Sequence, residues 1–126
     1  MTAAANEQTV RDFLAAWPRK NVDELMSYFT DDAVYHNVPV APVKGAAEIR
    51  KVFEGFVGAF AIELIVVNAA AAGSLVFTER IDRFWMNGKT FDLPVNGVFE
   101  LRNGKIAAFR DYFDLASFEK PSGLKL

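Results

Sequence analysis

The stretch LVFTERIDRFWM, residues 75–86, followed at once by Asn87-Gly88, decides how this chain folds. It is rich in β-branched and aromatic residues and stops at the dipeptide that signals a tight hairpin most strongly, so it predicts a strand entering a turn. Side chains alternate between the faces of a strand, which places Val76, Thr78, Arg80, Asp82, Phe84 and Met86 on one side. A cation and an anion therefore share a face with apolar neighbours. An unpaired buried charge costs several kcal/mol, so Arg80 and Asp82 must be paired, and the pair marks a candidate site.

A two-residue turn at Asn87-Gly88 makes facing residue numbers sum to 175, which sets Arg80 opposite Val95, Asp82 opposite Leu93 and Phe84 opposite Phe91. Strands over 75–86, 89–101 and 105–114, joined at Asn87-Gly88 and Asn103-Gly104, form an antiparallel meander. A long strand over 62–72 precedes them across Gly73-Ser74. On the last strand Ala107, Phe109, Asp111 and Phe113 share a face, with Asp111 as its one charge. Two-residue turns at both hairpins would set Tyr112 opposite Val95 and turn Asp111 away from Arg80. One extra residue restores the match. The expectation is a three-residue Arg102-Asn103-Gly104 loop with a glycine bulge, or a bulge near Pro94 or Asn96-Gly97.

Upstream, Asn6 is expected to cap a helix whose apolar positions Val10, Phe13, Leu14 and Trp17 recur at helical spacing, with Pro18 ending it. Asn21 opens a short helix over 22–29, and Thr30-Asp31-Asp32 reads as a turn. Residues 33–37 read as a short strand with Tyr35 and Asn37 on one face and Val34 and His36 on the other. Pro39 and Pro42 keep the chain irregular as far as Gly45. Ile49, Val52, Phe53, Phe56 and Val57 then mark an amphipathic helix over 46–59. Residues 115–119 form a last helical turn before a polar tail. Helices first and strands last predict a single α+β domain over residues 1–126. Its curved, mostly antiparallel sheet carries helices on the concave side, a cone whose closed end supplies a pocket.

Composition narrows the function. Hydrophobic residues are 52% of the 126 and twelve are Phe, enough for a core with an apolar cavity; net charge is −2 with no basic stripe, which argues against nucleic acid. The absence of cysteine excludes disulfides, thiolate metal sites and a Cys nucleophile. The N-terminus shows no secretory pattern, and the apolar run over 56–72 is broken by Glu63 and Asn68, so a soluble, cytoplasmic protein without membrane attachment is expected.

Each polar piece has a structural meaning when taken alone. An Arg-x-Asp is commonly a structural ion pair, Tyr35 a core aromatic, Asn37 a turn residue before proline, Asp111 a partner for Arg110 or Lys105, and His36 a surface residue. Their coincidence argues otherwise, because three strands each send polar groups toward one apolar interior. Two carboxylates bridged by a guanidinium, beside a phenol and a carboxamide, suit acid and base work on a shared substrate. Tyr35, Asn37 and an ionised carboxylate can hold a water by three hydrogen bonds.

The set Tyr35-x-Asn37, Arg80-x-Asp82 and Arg110-Asp111-Tyr112-Phe113-Asp114 resembles the limonene-1,2-epoxide hydrolase family, within the larger NTF2-like or SnoaL-like cone fold. The resemblance runs from the helix carrying Phe13 to Asp114. It implies that Asp111 is the general base for a water also held by Tyr35 and Asn37, that Asp82 is the general acid toward the epoxide oxygen, and that Arg80 bridges the aspartates. It implies direct attack of water, with no covalent ester, no metal and no cofactor. Phe84, Leu93, Val95, Phe109 and Phe113 are the expected pocket lining for a small, largely apolar terpene-like or cyclic epoxide. Two rivals stand beside this: ketosteroid isomerase-like or polyketide cyclase-like chemistry on the same cone, and a non-catalytic binding module. The outward face of the central strand, Leu75, Phe77, Ile81 and Trp85, is also apolar and needs cover, so a homodimer is expected, as the resemblance implies too.

Overall fold

In the computed structural model, which describes residues 1–126, Asn87 and Gly88 both take positive φ, 51° and 74°. That is the backbone a two-residue hairpin requires, because it matches the twist of the flanking strands. The pairing that follows is in register along the whole ladder, with Arg80 opposite Val95, Asp82 opposite Leu93 and Phe84 opposite Phe91. Strands β1 (Phe29–Asn37), β2 (Val43–Lys44), β3 (Ala61–Ala72), β4 (Leu75–Met86), β5 (Lys89–Arg102) and β6 (Lys105–Tyr112) make one sheet. Their order is β2-β1-β6-β5-β4-β3, antiparallel throughout except between β1 and β6, which run parallel.

Helices α1 (Ala3–Ala16), α2 (Val22–Met26), α3 (Ala46–Ala59) and α4 (Leu115–Ser122), with a 3₁₀ turn at Trp17–Arg19, cover the concave face. Phe13 of α1 is fully buried and meets Trp17, Phe29, Phe53, Phe99 and Phe109, mostly edge to face. Burying one such ring is worth roughly 1.5–3 kcal/mol. A second aromatic cluster, Phe60, Phe84, Phe91 and Phe118, closes the other side of the same face. The α+β cone expected from the sequence is the fold observed.

Several local expectations need correction. Thr2, not Asn6, caps α1: its hydroxyl accepts from the Ala5 N–H at 3.0 Å, and the alanines that follow extend the helix toward the N-terminus. Asn6 is buried inside the helix and donates to the Gly73 carbonyl at 3.1 Å, tying α1 to the β3–β4 turn. Helix α2 stops at Met26, and Thr30-Asp31-Asp32 is strand rather than turn, since β1 begins at Phe29 beside Ile106 of β6. Tertiary pairing overrides the turn preference of Asp there. Val43 and Lys44 form a two-residue edge strand against Tyr35 and Val34 where irregular chain was expected, with both prolines outside it. Strand β6 ends at Tyr112, because Asp114 caps α4 by accepting from the Ser117 N–H; α4 itself runs past Glu119 to Ser122.

An extra residue exists, but on β6 rather than in the loop or on β5, so Asp111 is turned inward opposite Gly97 and not opposite Val95 as expected. Asn103 and Gly104 have φ of 52° and 77°, a second two-residue turn, so the three-residue loop is absent. The register instead shifts between Glu100 and Leu101, where Ile106 and Ala108 pair and Ala107 is left over. Beyond that bulge Gly97 faces Asp111 and Phe99 faces Phe109, which turns Asp111 inward.

Candidate active site

Arg80 lies at the centre of β4, 1% exposed, among apolar side chains. A guanidinium has five N–H donors, and here all five are used. Nε and Nη2 donate to the two oxygens of Asp82 at 3.0 and 2.8 Å. Nη1 and Nη2 donate to the two oxygens of Asp111, both at 2.9 Å, and Nη1 also reaches Thr78 Oγ1 at 3.3 Å. Two parallel charge-assisted bonds to each carboxylate fix the plane of all three groups. The Arg80 guanidinium also stands 5.9 Å from the Phe109 ring centre, in range of the ring's negative face.

Asp82 arrives on the same strand face as Arg80, two residues along; Asp111 arrives across the sheet by way of the Ala107 bulge. Strand β1 supplies the remaining pair. Parallel pairing with β6 puts Asn37 beside Asp111 and Tyr35 beside Phe109. The Tyr35 hydroxyl donates to Asn37 Oδ1 at 3.1 Å, which leaves the Asn37 amide N–H₂ as donor. His36, on the opposite face, uses its ring Nε2 against the Val40 carbonyl at 2.8 Å.

Two ionised carboxylates and one guanidinium in an apolar hollow carry a net negative charge, and low polarity favours the state with one proton added. The electrostatics follow. Burial pushes the Asp111 carboxyl up to about 6, against the pull of Arg80, and the neighbouring Asp82 charge adds to the rise. Arg80 feels burial too, yet the charges and hydrogen bonds of both aspartates hold it more firmly protonated than a free arginine. Burial, aided by the Asp111 charge, keeps the Tyr35 phenol protonated.

The cavity between the two aromatic clusters opens to solvent and spans about 490 Å³ including its mouth. That is room for a few waters or one small apolar ring. Every candidate residue from the sequence lines it: Asp111, Asp82, Arg80, Tyr35 and Asn37 as the polar set, and Phe84, Leu93, Val95, Phe109 and Phe113 as apolar wall. Trp17, Phe56, Ile62, Leu64, Phe118 and Leu126 line it as well and were not anticipated. Ile62 and Leu64 were within reach, since they face Phe84 and Asp82 across β3–β4 and strand alternation carries them inward. Trp17 is placed by the 3₁₀ turn, and its buried indole N–H has no partner in the protein. No three His, Asp or Glu side chains gather in a geometry that could hold a metal ion, and no helix is long and apolar enough to cross a membrane.

The family model for the limonene-1,2-epoxide hydrolase catalytic domain matches residues 4–121. The epoxide hydrolase EphG of Mycobacterium tuberculosis is 31% identical over 106 residues, which span 84% of this chain and 71% of that protein. The solved structure of an M. tuberculosis epoxide hydrolase of this type superposes with a TM-score of 0.84 at 29% identity, covering 94% of this chain and 89% of that one. A protein of ketosteroid isomerase-like fold from Catenulispora acidiphila gives 0.81 at 24% identity over 92% of both chains, a likeness of fold alone.

Proposed function

The chain belongs to the limonene-1,2-epoxide hydrolase family, and we propose that it adds water to a small, largely apolar cyclic or terpene-like epoxide in one step, giving a vicinal diol without a covalent intermediate. The observation that carries this is the double grip of Arg80 on Asp82 and Asp111 beside the Tyr35–Asn37 pair, at the wall of an apolar cavity. In the reactive form Asp111 is ionised and Asp82 carries the proton. A water donates one hydrogen to Asp111 and the other to Tyr35 Oη, and accepts from the Asn37 amide. One lone pair is left, and it faces the substrate.

Attack forms the new C–O bond as the epoxide C–O bond breaks. Asp111 takes the proton of the attacking water, and the leaving oxygen takes the proton of Asp82. Proton return from Asp111 to Asp82 through solvent resets the pair. Arg80 keeps the two carboxylates coplanar and close in charge through both states, so little reorganisation accompanies the proton movements.

Single turnover in ¹⁸O-water, with enzyme in excess over a panel of small cyclic epoxides, tests this directly. The label is expected in the first diol formed. Asp111→Asn and Asp82→Asn, folded as judged by circular dichroism, are expected to lose roughly 10²–10⁴-fold in kcat. Unlabelled diol in that first turnover means the oxygen came from a protein carboxylate, and direct attack is then wrong.

The assembly proposed is a homodimer through the outer sheet face. Phe77 and Trp85 are more than 40% exposed there, beside the half-buried Leu75 and Ile81, and Ile65, Pro94 and Val98 face the same residues on the neighbouring strands. Light scattering at micromolar concentration should give twice the chain mass, and Trp85→Asp should halve it; a monomer in the unaltered protein refutes the dimer.

A further inference from the structure

Gly97 has no backbone reason to be glycine. Its φ lies outside the left-handed region, unlike those of Gly73, Gly88 and Gly104, and it sits mid-strand in β5, where glycine forfeits stability against almost any other residue. Space is the reason. A Cβ built at Gly97 would overlap Arg80 Nη1 and stand 2.8 Å from Asp111 Oδ1 and 2.9 Å from Thr78 Oγ1. Those are the three atoms of the second prong of the site: Nη1 donates to both the carboxylate and the hydroxyl. Gly55 and Gly58, by contrast, would meet nothing within 4 Å.

Nor can these atoms step aside freely. Arg80 is fixed by five hydrogen bonds, Thr78 is 4% exposed and Asp111 6% exposed. We propose that Gly97 is a positioning residue of the active site, the missing side chain being the volume in which the Arg80–Asp111 prong closes. A methyl group there pushes Nη1 away from Asp111 Oδ1 while leaving the Asp82 side of the fork, made by Nε and Nη2, in place. The inference rests on the reading of Asp111 as the base, because an Asp111 released from one prong has its charge less well supported and its carboxylate plane less well aimed at the water.

A double-mutant cycle between Gly97→Ala and Arg80→Lys tests it. Lysine keeps a cation between the aspartates but has no Nη1 for the methyl to strike. Without the Nη1 bonds that hold them, Asp111 Oδ1 and Thr78 Oγ1 are free to give the few tenths of an ångström the methyl needs. On the unaltered background Gly97→Ala should cost about 10²-fold in kcat, the scale of an ångström-sized misplacement, with KM moving much less. It should also move the Asp111 titration, followed by carbon NMR of the labelled carboxyl, to higher pH. On the Arg80→Lys background the same change should cost less than about threefold and leave that titration where Arg80→Lys put it, because coupled residues are not additive.

Equal costs on both backgrounds, or an unmoved Asp111 titration in Gly97→Ala, overturn the proposal. If Gly97→Ala does not fold, Arg80→Lys must restore folding, and a double variant that stays unfolded overturns it equally. Titration and melting need no substrate. A coupled cycle in a protein that turns over no epoxide therefore defeats the proposed reaction and leaves the role of Gly97 standing.

Discussion

Arg80 and Arg19 each hold a carboxylate with two N–H donors at nearly the same distances, yet the two acids are displaced in opposite directions. Arg19 donates to Glu24 at 2.9 and 2.7 Å in open solvent. There the hydrogen bonds outweigh a slight desolvation, and the Glu24 carboxyl is held below its ordinary range. Arg80 donates to Asp111 twice at 2.9 Å, in the cavity wall, and burial outweighs the arginine, so the acid rises to about 6. Geometry does not separate a structural ion pair from a working acid or base; the surroundings do. A carboxylate held at 2.9 Å becomes a base near neutral pH only where water cannot share its charge.

The strongest way to break this contrast is to remove the inner cation. Arg80→Met strands two carboxylates in an apolar hollow, at a cost of about 3–5 kcal/mol near neutral pH. For a domain of this size that lowers the melting midpoint by roughly 10–20 °C. The loss should shrink in acid, where both carboxylates take up protons. A midpoint within a few degrees of the unaltered protein at pH 7 would show that the cavity is wet enough to solvate the aspartates, and the two forks would then be alike.

Acid sharpens the contrast next. Asp111 has a folded value near 6 against an ordinary 3.8, so between those pH values the native state holds a proton that the unfolded chain has released. Its contribution to stability is complete below about 3.8 and lost as pH rises through 6. Glu24 has the opposite sign: its depressed value contributes stability above its ordinary range, lost as pH falls through the depressed one. The reactive pair carries one proton, and that proton is lost as pH rises through about 6, so kcat/KM should fall about tenfold per pH unit above 6. A profile flat from pH 6 to 8 would show that the proton the reaction uses is not the one that burial holds on this pair.

The same division between local and distant causes governs what could be read from the sequence. The β4–β5 ladder was legible to the residue, because Asn87-Gly88 sets it from within one turn and the face carrying Arg80 and Asp82 follows by alternation. Helix α3 was legible from its apolar spacing over 46–59. The inward turn of Asp111 was legible only as a requirement. The chain meets it with a bulge at Ala107, a residue with no bulge chemistry of its own, in place of the glycine and proline positions that carry such signals. The parallel pairing of β1 with β6, which brings Asn37 to Asp111, has no local signature either, since its strands lie some seventy residues apart. Acidic residues at Asp31 and Asp32 suggested a turn there, whereas in the fold they are exposed strand positions, and Asp32 pairs with Arg102. Asn96-Gly97 has the chemistry of a bulge, yet Gly97 pairs in register with Thr78 and Asp111, and its missing side chain leaves room for Arg80 Nη1.

The smallest effect is expected at the outer fork, and its smallness is informative. Glu24→Gln together with Arg19→Gln removes an arginine–carboxylate pair whose hydrogen-bond lengths match those at the site, its arginine two residues after the cavity-lining Trp17. Solvent screens this pair and each side chain recovers its hydration when the partner is lost, so such pairs contribute little. The double variant should keep kcat within about twofold at every pH, and should differ from the unaltered protein less at high salt than at low salt. If instead it shifted the limb of the pH profile near 6, charge at α2 would be reaching Asp111 through the protein. Burial would then not be the chief cause of the Asp111 shift, and the difference between the forks would need a long-range field rather than a dry cavity to explain it.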